Sequence, residues 1–182
     1  MTKKNLTIFL DIDGVIATEY ALDKAWQQYL GEKWYPEWHK KHTNLSHPGL
    51  GMDDWPFDTS CTYNIHILQR SFKNTKVVYV ISSSWRTGRT IQELYDLFKL
   101  KGLNLNEIIG KTTSERMNRG QQILQYIKEH KIGPFLVIDD EINFDIKQHI
   151  EDKFTINTSF KTGFDSHALN QAINKAEKQL YP

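Results

Sequence analysis

A single cysteine, Cys61, stands in the 182 residues. No intrachain disulfide can staple this chain, and cysteine usage gives no sign of an oxidising compartment. Long apolar runs are also missing. The N-terminal run Leu6–Leu10 stops at Asp11, whereas a signal peptide needs a longer stretch and a membrane helix about twenty residues. The expectation is a soluble, cytoplasmic protein without a membrane partner, with secretion lacking a cleaved signal left open. Charge of one sign is scarce as well: 23 Lys and Arg face 22 Asp and Glu, a net charge of +1. That balance argues against coating long nucleic acid by bulk charge. Internal repeats and low-complexity segments are absent.

What the chain does have is globular composition, 39% hydrophobic and 25% charged, in a length that buries about two thirds of the unfolded surface. Leu6–Asp13, Lys76–Ser82, Pro134–Asp139 and Phe154–Thr158 are short, β-rich and apolar on both faces, as buried parallel strands are. Leu105–Lys111 is a weaker fifth. Helical stripes alternate with them. Ile91, Leu94, Tyr95 and Phe98 form one, with Thr87 as cap and Gly102 as stop. Ile123, Leu124 and Ile127 form a second, ending near Gly133-Pro134. Ala168, Leu169, Ala172, Ile173 and Ala176 form a third, opened by Asp165-Ser166. Strand–helix alternation predicts an α/β fold, a three-layer Rossmann-like parallel sheet whose ligands sit at the carboxyl ends of the strands. Residues 17–56 break the rhythm and hold four of the five tryptophans, Trp26, Trp34, Trp38 and Trp55. They read as a small cap inserted after the first strand of a core formed by residues 1–16 and 57–182. Most of these tryptophans are expected to pack a subdomain core, leaving one or two for substrate.

The chemistry gathers where strands end. Asp11 and Asp13 sit two apart at the end of the first strand, so alternation turns both carboxylates to one side. Gly14 then lets the backbone turn away, and Asp139-Asp140 ends another strand. Two unit charges ~4 Å apart repel by ~4 kcal/mol at an effective dielectric of ~20, so four converging acids call for a cation. Oxygen-only ligands indicate Mg²⁺.

These residues resemble those of the haloacid dehalogenase (HAD) superfamily of phosphotransferases. DIDGVI (Asp11–Ile16) is similar to its first motif, VVYVIS (Val77–Ser82) to its second and VIDD (Val137–Asp140) to its fourth, in matching order over essentially the whole chain. More narrowly, SSSWR (Ser82–Arg86), RGQQI (Arg119–Ile123) and TSFKTGF (Thr158–Phe164) resemble the phosphatase domain of Swiss Army Knife RNA-repair proteins. The resemblance implies an Mg²⁺-dependent phosphomonoesterase. Asp11 would be the nucleophile, forming an aspartyl-phosphate, and Asp13 the general acid and then base. Mg²⁺ would be held by Asp11, the Asp13 backbone carbonyl, and Asp139 or Asp140. Ser82, with Ser83 beside it, would bind phosphate through a hydroxyl and nearby amides. The third-motif cation is Arg119, Lys111 or Arg116, and Arg86 could clasp phosphate with its fork. Dehalogenases lack the second acid, so Asp13 favours phosphoester hydrolysis.

Competing signals are weaker. Gly110-Lys111-Thr112 lacks the upstream glycine of a P-loop, since residue 105 is Leu. His39, His42 and His47 with Asp53-Asp54 lack a zinc motif. A phosphorylated receiver domain would carry its acid pair early, a phosphoacceptor Asp in the middle and a late Lys, whereas here the paired Asp139-Asp140 comes late and the middle strand ends in Ser82. The cap's six acids outnumber its four lysines, which suits a small or terminal group better than a run of phosphates. The expected partner is a phosphorylated substrate: a nucleotide or nucleic-acid end, alternatively a phosphometabolite or phosphoprotein. A non-catalytic HAD-like binding module is the reading from another class.

Overall fold

The computed structural model describes residues 4–32, 55–113 and 117–181. Its centre is strand β1 (Lys4–Leu10), which pairs in parallel with β2 (Thr75–Ile81) on one edge and β4 (Phe135–Asp139) on the other. Strand β3 (Ile108–Lys111) lies beyond β2, and β5 (Thr155–Asn157) beyond β4. The order is β3-β2-β1-β4-β5. The chain therefore lays three strands outward in one direction, then returns beside the first and proceeds in the other. Between β1 and β4 the connections diverge, leaving a crevice at their carboxyl ends, the usual ligand position in open parallel sheets.

Alternation along the central strands feeds two cores. Leu6, Ile8 and Leu10 join Val77, Tyr79 and Ile81 on one face. There they meet helices α2 (Thr59–Arg70), α3 (Ile91–Leu100) and α5 (Ser166–Leu180). Phe9, Val80 and Val137 face the other side, against α4 (Arg119–His130) and the buried Ile142, Ile146 and Ile150. This is the three-layer α/β architecture that the alternating pattern predicts.

Several boundaries differ from expectation. The first strand stops at Leu10 rather than Asp13, because the Ile12 carbonyl accepts the N–H groups of Val15, Ile16 and Ala17 and curls the chain out of the sheet. Helix α3 is capped by Thr90, not Thr87: Thr90 and Glu93 form a reciprocal capping box. Helix α2 has no counterpart in the sequence reading. Its buried positions Cys61, Ile65 and Leu68 do follow helical spacing, and the Asp58 side chain caps its start by accepting from the Ser60 and Cys61 N–H groups.

The segment expected to be an insertion begins as helix α1 (Glu19–Glu32). Its two ends meet at the core, where Thr18 Oγ1 donates to Asp58 Oδ2 at 3.2 Å and Asp58 N–H to the Ile16 carbonyl at 2.7 Å. Most of the expected cap, with Trp34, Trp38, the three histidines and Asp53-Asp54, lies outside the described residues, as do the Trp26 side chain and Arg116. Trp55 packs against the main core and the Phe160 ring.

Candidate active site

The turn after β1 brings the acids to the crevice. Asp11 N–H donates to the Ile138 carbonyl at 3.0 Å, locking Asp11 beside the end of β4. Gly14 adopts φ +69°, and a Cβ built there would lie 2.2 Å from the Asp140 carboxyl carbon. Glycine is thus required twice, for the left-handed turn and for the close approach of Asp140. Thr158 holds the turn from β5's side by donating its hydroxyl to the Gly14 carbonyl at 2.7 Å.

Asp11, Asp139 and Asp140 each offer a carboxylate oxygen within 4.8 Å of the others. Arg119, the first residue of α4, reaches into this group: its Nη1 lies 2.8 Å from Asp11 Oδ2 and 2.8 Å from Asp139 Oδ2. A buried charge needs a partner, and one nitrogen serves both acids. Asp139 Oδ1 accepts the Glu141 N–H at 2.8 Å, whereas Asp11 Oδ1 is buried with no partner. The Ser82 hydroxyl, at the end of β2, is equally buried and equally unpartnered. An orphaned carboxylate oxygen in an all-oxygen acidic cluster fits a hard divalent cation, and an orphaned hydroxyl at a neighbouring strand end fits an anionic oxygen.

Burial, then the Asp11 charge, pushes Asp139 up to about 7 and Asp140 up to about 6. Burial disfavours the Arg119 charge, but the carboxylates of Asp11 and Asp139 outweigh it and raise its pKa. The cluster holds more negative charge than one guanidinium offsets.

Three expectations need correction. The acids form a group of three rather than four, because the Asp13 carboxylate is held apart: Trp85 Nε1 donates to its Oδ1 at 2.9 Å, and Ser84 Oγ lies 3.5 Å from its Oδ2. Arg86 does not present a free fork. Its five N–H groups go to the carbonyls of Ser82, Ser83, Thr112 and Thr113 and to Gln122 Oε1. Strand-end carbonyls leaving the sheet need donors, and this buried arginine supplies them. Lys111 turns to the carbonyls of Arg86 and Arg89 instead of the acids, so among the described residues Arg119 is the cation in the cluster. Ser83 caps a short 3-10 turn (Ser84–Arg86), its Oγ accepting the Trp85 N–H.

Sequence reasoning missed Trp85 and Ser84 as neighbours of Asp13. The SSSWR run was legible as a motif, but a contact across 72 positions leaves no local trace. A cleft of about 510 Å³ opens beside Arg119, lined also by Ser84, Arg86, Thr87, Asn118, Gln122, Glu141, Phe144 and Asp145. Phe144 is 78% exposed there. No helix among the described residues is long and apolar enough to cross a membrane.

Compared with known proteins, residues 7–169 match the family described as the HAD domain in Swiss Army Knife RNA repair proteins. No curated protein matches, and neither does any solved structure.

Proposed function

The chain belongs to the family of HAD domains found in Swiss Army Knife RNA repair proteins, and from that premise and the geometry of its acids we propose that it is a Mg²⁺-dependent phosphomonoesterase working through an aspartyl-phosphate on nucleotides or nucleic-acid ends. The observation that carries the proposal is Arg119 bridging Asp11 and Asp139 while Asp11 Oδ1 stays buried and unpartnered. A carboxylate fixed at one oxygen by a cation and bare at the other is oriented for attack.

Asp11 attacks phosphorus, and the bond from phosphorus to the ester oxygen breaks with its electron pair on that oxygen. Asp13, whose pKa burial raises, gives that oxygen its proton and is left as a carboxylate. It then takes a proton from the water that attacks the aspartyl-phosphate, releasing inorganic phosphate and restoring both acids. Ser82 donates its unpaired hydroxyl to a phosphate oxygen. Arg119 holds one oxygen of Asp11 and stands between it and Asp139. Asp11, Asp139 and Asp140, with the Asp13 backbone carbonyl, would hold Mg²⁺, which supplies positive charge for the phosphoryl oxygens.

Phe144 favours a nucleotide. It stands beside Arg119 in the cleft, exposed on a turn whose flanking Ile142 and Ile146 are fully buried, and it offers a ring on which a base can stack. Glu141 and Asp145 in the same wall oppose a run of further phosphates, so the phosphate taken is terminal. That same acidic wall supports the second reading, a small phosphometabolite.

Hydrolysis of an aryl phosphate with and without Mg²⁺ tests the chemistry, with Asp11→Asn as control. The proposal expects activity only in the wild-type protein with metal, and equal rates in both proteins would end it. A panel of phosphorylated oligonucleotides, mononucleotides, sugars and peptides ranks the substrates, and preference for non-nucleotide phosphates would favour the second reading.

A further inference from the structure

Trp85 is fully buried, yet its one polar atom is spent on a residue of the crevice: Nε1–H donates to Asp13 Oδ1 at 2.9 Å. The ring is clamped from behind. Phe57 lies 5.6 Å from it, centroid to centroid, and the Lys101 ammonium stands 5.7 Å over its face. Ser83 Oγ accepts the Trp85 backbone N–H, fixing the 3-10 turn that carries the indole.

An indole N–H can only donate. Whatever the protonation state of Asp13, the oxygen facing Trp85 must therefore act as acceptor and cannot carry the acid's proton along that line. We propose that Trp85 is a positioning residue that fixes which oxygen of Asp13 delivers the proton: Oδ1 is held as the carbonyl oxygen by the indole, and Oδ2 is the hydroxyl turned to the leaving group. Ser84 Oγ donates to Oδ2 at a long 3.5 Å, but a hydroxyl can equally accept, so it does not fix the role of Oδ2 as the indole fixes that of Oδ1. The inference rests on the role given to Asp13 above and adds the element that orients it. In the reaction, the proton leaves Asp13 Oδ2 for the ester oxygen as the bond from phosphorus to that oxygen breaks. The indole keeps its own proton throughout.

A positioning role has a signature that a packing role lacks. Protonation matters when the departing alkoxide is a strong base and hardly at all when it is a stable phenolate. Trp85→Phe keeps an aromatic ring against Phe57 and Lys101 and deletes the N–H. The expected result is a fall in kcat/KM, which reports the step in which the leaving group departs, of about tenfold or more on an alkyl phosphate. Little change in kcat/KM is expected on p-nitrophenyl phosphate, and no further loss when Trp85→Phe is added to Asp13→Asn. An equal fall on both substrates, or additive losses in the double variant, would overturn the inference and leave the phosphatase reading intact. Absence of Mg²⁺-dependent turnover in the wild-type protein would overturn the reading itself and this inference with it. Should Trp85→Phe fold poorly, β-(3-benzothienyl)alanine at position 85 keeps the fused ring and replaces N–H by sulfur. The same split between alkyl and aryl substrates is then expected, and its absence counts against the inference.

Discussion

Arg119 uses one nitrogen to hold two acids, and that economy has consequences. Asp11 and Asp139 are both buried, so Arg119→Ala leaves two carboxylates facing each other with no protein cation between them. Breaking a buried pair from one side costs about 3 kcal/mol, and the expected outcome in thermal melts is a clear loss of stability that added Mg²⁺ partly restores. Activity should fall at least about a hundredfold. Because a single nitrogen makes both contacts, Arg119→Lys should retain more activity than Arg119→Ala, and a lysine variant no better than alanine would show that the planar fork matters. At this scale the acids, Ser82 and Arg119 were legible in the sequence, since each stands at the end of a strand-like run or the start of a helical stripe. The destinations of Arg86 and Lys111 were not. Their partners are mainly backbone carbonyls, some in the adjoining turn and others 25 to 27 positions away, and a carbonyl's need for a donor has no side-chain signature.

The elements that carry these residues are short and depend on special turns. The Ile12–Ala17 turn requires Gly14 at positive φ with Asp140 against it. Gly14→Ala should destabilise the protein by about 1–3 kcal/mol and weaken Mg²⁺ binding by displacing Asp140. A titration calorimeter reads the second effect separately from the first, and unchanged affinity would place Asp140 outside the metal site. Asp58 caps α2 and joins it to Thr18, 40 positions away in sequence, and to the Ile16 carbonyl. Asp58→Ala should cost about 1–2 kcal/mol in denaturant unfolding. The five strands were legible as apolar β-rich runs. Helix α2 was not, because Thr59, Thr62, Asn64 and His66 dilute its apolar face. The signal that would have found it is Asp58 as a cap followed by Cys61, Ile65 and Leu68.

Across the whole molecule, sheet order creates the site. The return of β4 beside β1 places Asp139 next to Asp11, a pairing of residues 128 positions apart that strand patterning alone does not specify. The accumulated negative charge gives the metal-free chain a pH dependence. Asp139 and Asp140 rise from 3.8 to about 7 and about 6 on folding, so the folded chain keeps protons that the unfolded chain releases. Their contribution to stability is full below about pH 4 and is lost as pH climbs through about 6 to 7. A cation should compensate for that loss: Mg²⁺ is expected to raise the melting temperature more at about pH 8 than at about pH 5, and an equal rise at both would separate metal binding from these acids.

The account depends most on a covalent bond to Asp11. Asp13→Asn should slow breakdown of the aspartyl-phosphate more than its formation from an activated aryl phosphate, so that variant, mixed with Mg²⁺ and p-nitrophenyl phosphate and quenched in acid, allows the adduct to be weighed by peptide mass spectrometry. The expected result is one phosphoryl group on the peptide containing Asp11, absent when Asp11→Asn is added. A phosphoryl group on any other residue, or turnover that persists in Asp11→Asn, would contradict it.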